Sequence, residues 1–214
     1  MVMAPREGLA VVVSGPSGCG KTTLIKHLML RTPRSHFSIS ATTRPPRGEE
    51  VDGVDYHFMD RDQFLELRNS GGVLEWAKVH DEFYGSPRKE VLDFLDQGYH
   101  VFLDIDVQGG MQVKEALGDK AWLLYVLPPD METLECRLRG RGTEDNFRVA
   151  LSMKNALGEL AALPHYDSVL VNGDLKDTVE EAARLLSGPH HNKNQWLENS
   201  GRDFLKESFG IELD

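Results

Sequence analysis

Residues 15–22 read GPSGCGKT, directly after the apolar run LAVVVS and directly before TLIKHLML. Gly15, Gly20, Lys21 and Thr22 fit the pattern GxxxxGK[ST], and the flanking runs supply the strand and helix that this pattern requires. The chemistry of such a loop is anion binding. Its glycines let the backbone curl so that several N–H groups point inward, and the following helix adds the positive end of its dipole. Lys21 is then expected to reach the β- and γ-phosphates of a bound triphosphate, and the Thr22 hydroxyl to ligate Mg²⁺. Cys19 is expected only to fill a position that needs a small side chain. The loop does not choose the phosphoryl acceptor, which is water in ATPases and GTPases and a small molecule in kinases.

Composition narrows the choice. The 214 residues are 40% hydrophobic and 27% charged, an ordinary globular balance with room for one compact domain carrying insertions or small mobile subdomains. Lysine plus arginine number 24 against 34 for aspartate plus glutamate, giving a net charge of −10. Nucleic acid and anionic membranes are poor partners for such a chain, so nucleic-acid motors are disfavoured. The longest apolar runs, LAVVV and WLLYVL, are far shorter than the ~20 residues of a membrane span, and MVMAPREG has no apolar signal core. Cys19 and Cys136 form neither a CxxC pair nor a ligand cluster, which points to a reduced, cytoplasmic protein.

The elements that must position the loop alternate along the chain. LAVVVS, HVFLDI, WLLYVL and SVLVN read as strands with amphipathic stretches between them, an α/β architecture with a mostly parallel sheet. DRDQ at Asp60–Gln63 has capping-box spacing and opens FLELRN, while Ser86 followed by Pro87 opens RKEVLDFLDQ, closed by Gly98. Residues 36–84 differ: FSISATT, YHFM and VLEWAKVH are strand-like with one helix interposed, a mixed α+β insertion. After Leu186 the pattern weakens, and the remainder reads as a tail with a short helix or partial disorder. His190 and His191 read there as solvated.

Three downstream stretches carry further chemistry: SATTRPPRGEEVDGVDYHF at 40–58, LEWAKVHDEFYGS at 74–86 and FLDIDVQG at 102–109. Arg44 and Arg47 are three apart in a proline-containing segment that resists helix, yet both can face one anion if the chain turns there. Tyr56 and Tyr84 each read either as a hydroxyl donor or as a core aromatic. Asp104 and Asp106 follow an apolar run and so belong at the carboxyl end of a strand, where open α/β sheets place ligands. A helix cap and its neighbour is the other reading of that pair.

These motifs together, in order from about Leu9 to Leu186, resemble the guanylate kinase family. The resemblance implies a P-loop kinase core (1–35, 87–129 and 155–187), a GMP-binding insertion over about 36–86, and a helical lid over about 130–154. Residues 188–214 remain a C-terminal extension without an assigned role. It implies ATP and GMP or dGMP as substrates, with Mg²⁺, and no nucleic acid or membrane partner. By the same resemblance Arg44, Arg47, Tyr56 and Tyr84 hold the acceptor phosphate, and Ser40 and Glu75 read the base with Ser86 nearby. Asp106 is an acceptor-site contact, as is Asp104, which also reaches Mg²⁺ through water. The donor nucleotide would lie on Gly15, Pro16, Ser17, Gly18, Cys19, Gly20, Lys21, Thr22 and Thr23. Asn172 in SVLVNGDL reads either as a donor-base contact or as a turn asparagine at a strand end. A glutamate suits guanine, whose N1–H and N2 amino group are two adjacent donors facing two carboxylate acceptors. Two other readings compete, a catalytically silent interaction module of the same fold and a P-loop kinase for another phosphorylated acceptor. The intact GPSGCGKT weighs against the first and Ser40, Glu75 and Ser86 against the second.

Residues 130–148, DMETLECRLRGRGTEDNFR, resemble the family's lid, in which arginines matching Arg137 and Arg141 close over the triphosphate. Lys21, Arg44, Arg137, Arg141 and Arg148 make the implied catalytic set, whereas Arg139 reads as a solvated face residue. The chain departs from the pattern in one place. Counting eight residues from Glu144 reaches Ser152 where the family usually has an arginine, and serine cannot clamp a phosphate. Arg148 stands four residues earlier, one helical turn away on the same face, and is placed to substitute. Arg148→Ala is accordingly expected to lower kcat for nucleotide phosphorylation at least about tenfold, the scale of one lost charge-stabilising donor; turnover near that of wild type would exclude the substitution.

Overall fold

The structure is a computed structural model, and it describes residues 8–79, 81–140, 146–188 and 192–212. The chain forms two compact units: residues 1–12 with 32–122, and residues 13–31 with 123–214. In the larger sheet the strand order is β2-β7-β1-β8-β9, with β1 Ala10–Ser14, β2 Ser35–Phe37, β7 His100–Asp104, β8 Ala121–Leu127 and β9 Ser168–Val171. The paired strands β2 with β7 and β8 with β9 run parallel. The four strands expected from sequence are all present. Every residue of AWLLYVL in β8 is buried, as a parallel strand covered on both faces requires.

The first unit holds β2, β7 and a second sheet of order β4-β3-β6-β5, built from β3 Ala41–Thr42, β4 His57–Phe58, β5 Val73–Val79 and β6 Glu82–Pro87. FSISATT therefore divides, Phe37 ending β2 and Ala41–Thr42 forming β3. The single helix of this segment, α2 Arg61–Asn69, begins with the expected capping box: Gln63 N–H donates to the Asp60 carboxylate and the Gln63 side chain accepts from Asp60 N–H. Its Phe64 is fully buried and stacks on Phe83 at 5.4 Å, in a cluster with Ala41 that fixes the helix on the sheet. Helix α3, Arg88–Asp96, places Glu90 2.7 Å from His36 Nε2 of β2 and 3.3 Å from His57 Nε2 of β4, tying those two strands to one carboxylate. Helix α4, Val107–Leu117, follows β7.

One expected cap is corrected. Pro87, not Ser86, occupies the cap position of α3, with no side-chain bond; Ser86 lies within β6 and its hydroxyl is turned to Glu75. The helix ends before Gly98, which has φ of 77°, as the glycine suggested.

The second unit holds α1 Lys21–Arg31, β8 from Leu123 onward and β9, then α5 Met131–Arg139, α6 Asn146–Glu159 and α7 Leu175–Ser187. Leu134 and Leu138 of α5 pack with Val149 and Ala156 of α6, so these two helices share an apolar core of their own. The weak pattern after Leu186 hides two helices, α8 Lys193–Trp196 and α9 Arg202–Phe209, joined by a π turn. Trp196, Phe204 and Phe209 pack edge to face at 5.8 Å, and Leu205 and Phe209 are buried. Asn192 bonds across to β9, accepting from Val169 N–H at 2.8 Å and donating to its carbonyl at 3.1 Å. Too few apolar residues at irregular spacing made this segment read as a tail. His190 and His191 lie outside the described residues.

Phe64→Ala is expected to destabilise the protein by about 3–5 kcal/mol, the usual range for removing a buried aromatic side chain, as measured by urea unfolding.

Candidate active site

The phosphate-loop residues all belong to the second unit. Gly15, Gly18 and Gly20 have φ of 142°, 89° and 95°, values that residues with a Cβ rarely adopt, so the curl depends on those glycines. Pro16, Gly18 and Cys19 are buried and Ser17 is exposed. A Cβ at Gly15 would lie 3.2 Å from Cys19 Sγ, which fits the reading of Cys19 as a small filler. Lys21 Nζ arches back to donate to the carbonyls of Gly15 at 2.7 Å and Pro16 at 3.2 Å. Lys21, Thr22 and Thr23 form the first turn of α1, and both threonines are exposed.

Helix α5 reaches this loop. Leu134 and Leu138 pack against Gly18. Arg137 donates to the carbonyls of Cys19 at 3.3 Å and Asn172 at 2.9 Å. Arg139 pairs with Glu135 on the same helix, the surface role expected of it. Arg148 and Ser152 both lie in α6, one turn apart, with Arg148 exposed. Arg141 and Glu144 lie outside the described residues.

The residues expected on the acceptor side all belong to the first unit. Arg44 is 7% exposed and its guanidinium engages Glu50 through two parallel bonds of 2.8 and 3.0 Å. It lies 5.1 Å over the Tyr56 ring, and Tyr56 meets Tyr84 edge to face at 6.1 Å. Three of the four expected phosphate-clamp residues are thus gathered. Burial raises the Tyr56 phenol pKa, reinforced by Tyr84, so the hydroxyl keeps its proton at neutral pH. Arg47 is exposed and joins the group through its backbone N–H, which donates to Glu50 at 2.7 Å. Glu50 was not anticipated: it turns RPPRGEE into a closed loop. The signal was the glutamate six residues after Arg44 in a segment that must bend.

Glu75 is 5% exposed. The pairing of β5 with β6 slips by one residue between Val73 and Trp76, a bulge that leaves Val73, Leu74 and Glu75 buried in succession. Ser86 hydroxyl donates to Glu75 Oε1 at 2.7 Å. A Cβ on Gly109 of α4 would lie 2.7 Å from Glu75 Oε2, so only glycine admits the carboxylate there. Loss of solvation pushes the Glu75 pKa up to about 7; the Ser86 bonds oppose the rise and the Asp106 charge adds to it. Asp106 caps α4, accepting from Gly109 N–H at 2.8 Å, so the helix-cap reading describes its side chain. Asp104 is half-buried at the carboxyl end of β7. Ser40 enters through its carbonyl, which accepts from His57 N–H at 2.9 Å. Trp76 is partly exposed under Arg68 at 4.7 Å, a packing role as expected.

Mg²⁺ favours oxygen ligands and keeps several waters, taking one or two protein groups beside substrate phosphates. The donor set fits that habit: Thr22 offers a hydroxyl at the start of α1, and among the described residues no cluster of three His, Cys, Asp or Glu side chains forms a protein cage.

Residues 7–188 match the family model described as guanylate kinase. A guanylate kinase of Nitratidesulfovibrio vulgaris is 46% identical over 176 residues, covering 82% of this chain and 84% of that protein. One of Clostridioides difficile is 36% identical over 211 residues, 99% of this chain and 100% of that one. The crystal structure of guanylate kinase from Anaplasma phagocytophilum superimposes with a TM-score of 0.68 at 30% identity, covering 99% of this chain and all of that one. The GPSGCGKT loop, the buried Glu75 and helices α5 and α6 all fall inside the matched span, and the chain belongs to the guanylate kinase family.

Proposed function

We propose that the chain is an ATP:GMP phosphotransferase, moving the γ-phosphoryl group of ATP to GMP, and to dGMP, by direct in-line displacement as a cytoplasmic step of purine nucleotide metabolism. The observation that carries the choice of acceptor is the buried Glu75 carboxylate, oriented by Ser86. Its two acceptor oxygens match the N1–H and N2 amino donors of guanine. Adenine presents an acceptor at N1 and has no 2-amino group, so binding it would leave a buried carboxylate poorly paired, at a cost of about 1–3 kcal/mol.

Arg44, Arg47, Tyr56 and Tyr84 hold the acceptor phosphate, with Ser40, Ser86, Asp104 and Asp106 around the nucleoside. The loop residues 15–23 hold the triphosphate through backbone N–H groups and Lys21. When bound, Mg²⁺ neutralises charge on the phosphate oxygens. Thr22 would offer a direct hydroxyl ligand and Asp104 would reach the ion through water. The acceptor oxygen is already anionic, so no general base is needed, and catalysis is alignment plus charge neutralisation by Lys21, Arg137, Arg141 and Arg148. The proposed organisation is a kinase core (1–35, 87–129 and 155–187), a GMP-binding insertion over about 36–86 and a lid over about 130–154.

A coupled assay with Mg-ATP is expected to show phosphorylation of GMP well above that of AMP; equal rates would reject the reading. Guanine pairing uses the ionised form of Glu75, so KM for GMP is expected to rise as pH falls from 8 through about 7. Glu75→Gln is expected to raise KM for GMP by about an order of magnitude or more and to remove that pH dependence. The same shift acts on folding. The folded-state pKa lies above the ordinary value of 4.5, so the carboxylate charge opposes folding, and the loss accumulates as pH rises from 4.5 to about 7. Urea unfolding is expected to find Glu75→Gln more stable than wild type at pH 8, with the advantage fading toward pH 4.5.

A further inference from the structure

We propose that Asn172 is a positioning residue for the phosphate loop, acting through the Cys19–Gly20 peptide. Asn172 is 5% exposed and follows β9, where its backbone N–H donates to Leu127 O at 2.7 Å. Its side-chain Nδ2 donates to Cys19 O at 2.7 Å. A carbonyl accepts and cannot donate, so the amide must present its nitrogen, and the orientation is fixed by chemistry. Arg137 closes the arrangement, with Nη1 3.3 Å from Cys19 O and Nη2 2.9 Å from Asn172 O.

In a planar trans peptide the C=O and N–H point to opposite sides. Holding the Cys19 carbonyl toward Asn172 therefore turns the Gly20 N–H of the same peptide away from Asn172, the direction an anion in the loop requires. The contact is tight. Gly20 has φ of 95°, and a Cβ there would lie 2.4 Å from Asn172 Nδ2, so the glycine serves the amide as well as the turn. The next residue is Lys21, so the peptide that Asn172 holds also sets the first residue of α1.

This inference rests on the donor-triphosphate reading of the loop, and it predicts a signature that a base contact does not have. A residue that shapes the loop affects every ligand carrying the triphosphate, whatever its base. Asn172→Asp keeps the shape of the side chain and replaces the donor by a carboxylate facing a carbonyl oxygen. KM for ATP and for GTP as donors, KM for GMP, and the dissociation constant of Mg-tripolyphosphate by calorimetry are to be compared with wild type on the full chain. The variant is expected to weaken ATP, GTP and tripolyphosphate in parallel, each by about tenfold or more, with KM for GMP within about twofold. Unchanged tripolyphosphate affinity with an altered ATP-to-GTP ratio would overturn the proposal in favour of base contact. Wild-type values for all ligands would overturn it too. If the thermal transition shows that Asn172→Asp does not fold, Asn172→Ala, which adds no charge, is read by the same ratio. A wild-type chain that bound tripolyphosphate without phosphorylating GMP would defeat the functional reading alone, because the tripolyphosphate comparison decides the role of Asn172 without turnover.

Discussion

The net charge of −10 works against any polyphosphate that approaches this chain, so phosphate binding must come from groups within a few ångströms. The magnitudes permit it. Screening confines the diffuse field to about 8 Å at physiological ionic strength, while a single opposite charge at contact near a protein surface is worth about 4 kcal/mol. The molecule therefore concentrates positive potential in small rigid devices. One is the curled loop with the first turn of α1 behind it and Lys21 bonded to two of its carbonyls. On the proposed reading the acceptor side has its counterpart in Arg44, whose guanidinium is held in place by Glu50 and lies over the Tyr56 ring. In each, the backbone or a partner side chain has ordered the cation beforehand, which lowers the entropy a ligand must remove.

Glu75 is the opposite case, a negative group placed where water hardly reaches. A buried carboxylate is costly to ionise, and the pKa near 7 expresses that cost. The bulge in β5, the Ser86 hydroxyl and the absent side chain at Gly109 are three local adjustments to one atom group. Each removes a different obstacle: direction, an unpaired lone pair and space. If Glu75 reads the base as proposed, discrimination between purines rests on leaving the wrong base with unsatisfied polar groups, not on a gain of affinity alone.

Much of this was legible in the sequence because its causes are local. A phosphate loop, a capping box at Asp60 and the apolar run of β8 declare themselves within a few residues. The arginine and tyrosine cluster was legible only through resemblance, since residues 44, 56 and 84 meet by folding and no spacing rule predicts it. Glu50 was overlooked because a glutamate in an acidic chain carries no information until its partner is known. Ser86 was misassigned for a related reason: serine before proline is a good helix opener, but a neighbouring strand presented a carboxylate that binds its hydroxyl more strongly. Asn172 stayed ambiguous because its acceptor is a carbonyl 153 positions away in sequence. The C-terminal segment read only as a tail with a short helix or partial disorder because its apolar residues serve packing against each other and β9, not a regular stripe.

That last segment has a consequence for how molecules of this protein meet one another. β9 ends the larger sheet, and an end strand presents N–H and C=O groups to which any extended chain can add. The Asn192 amide occupies both outward groups of Val169, and Lys193 N–H takes the carbonyl of Asp167 at 3.4 Å. A single side chain thus imitates the strand that would otherwise extend the sheet, and the segment that read as a tail occupies part of that open edge.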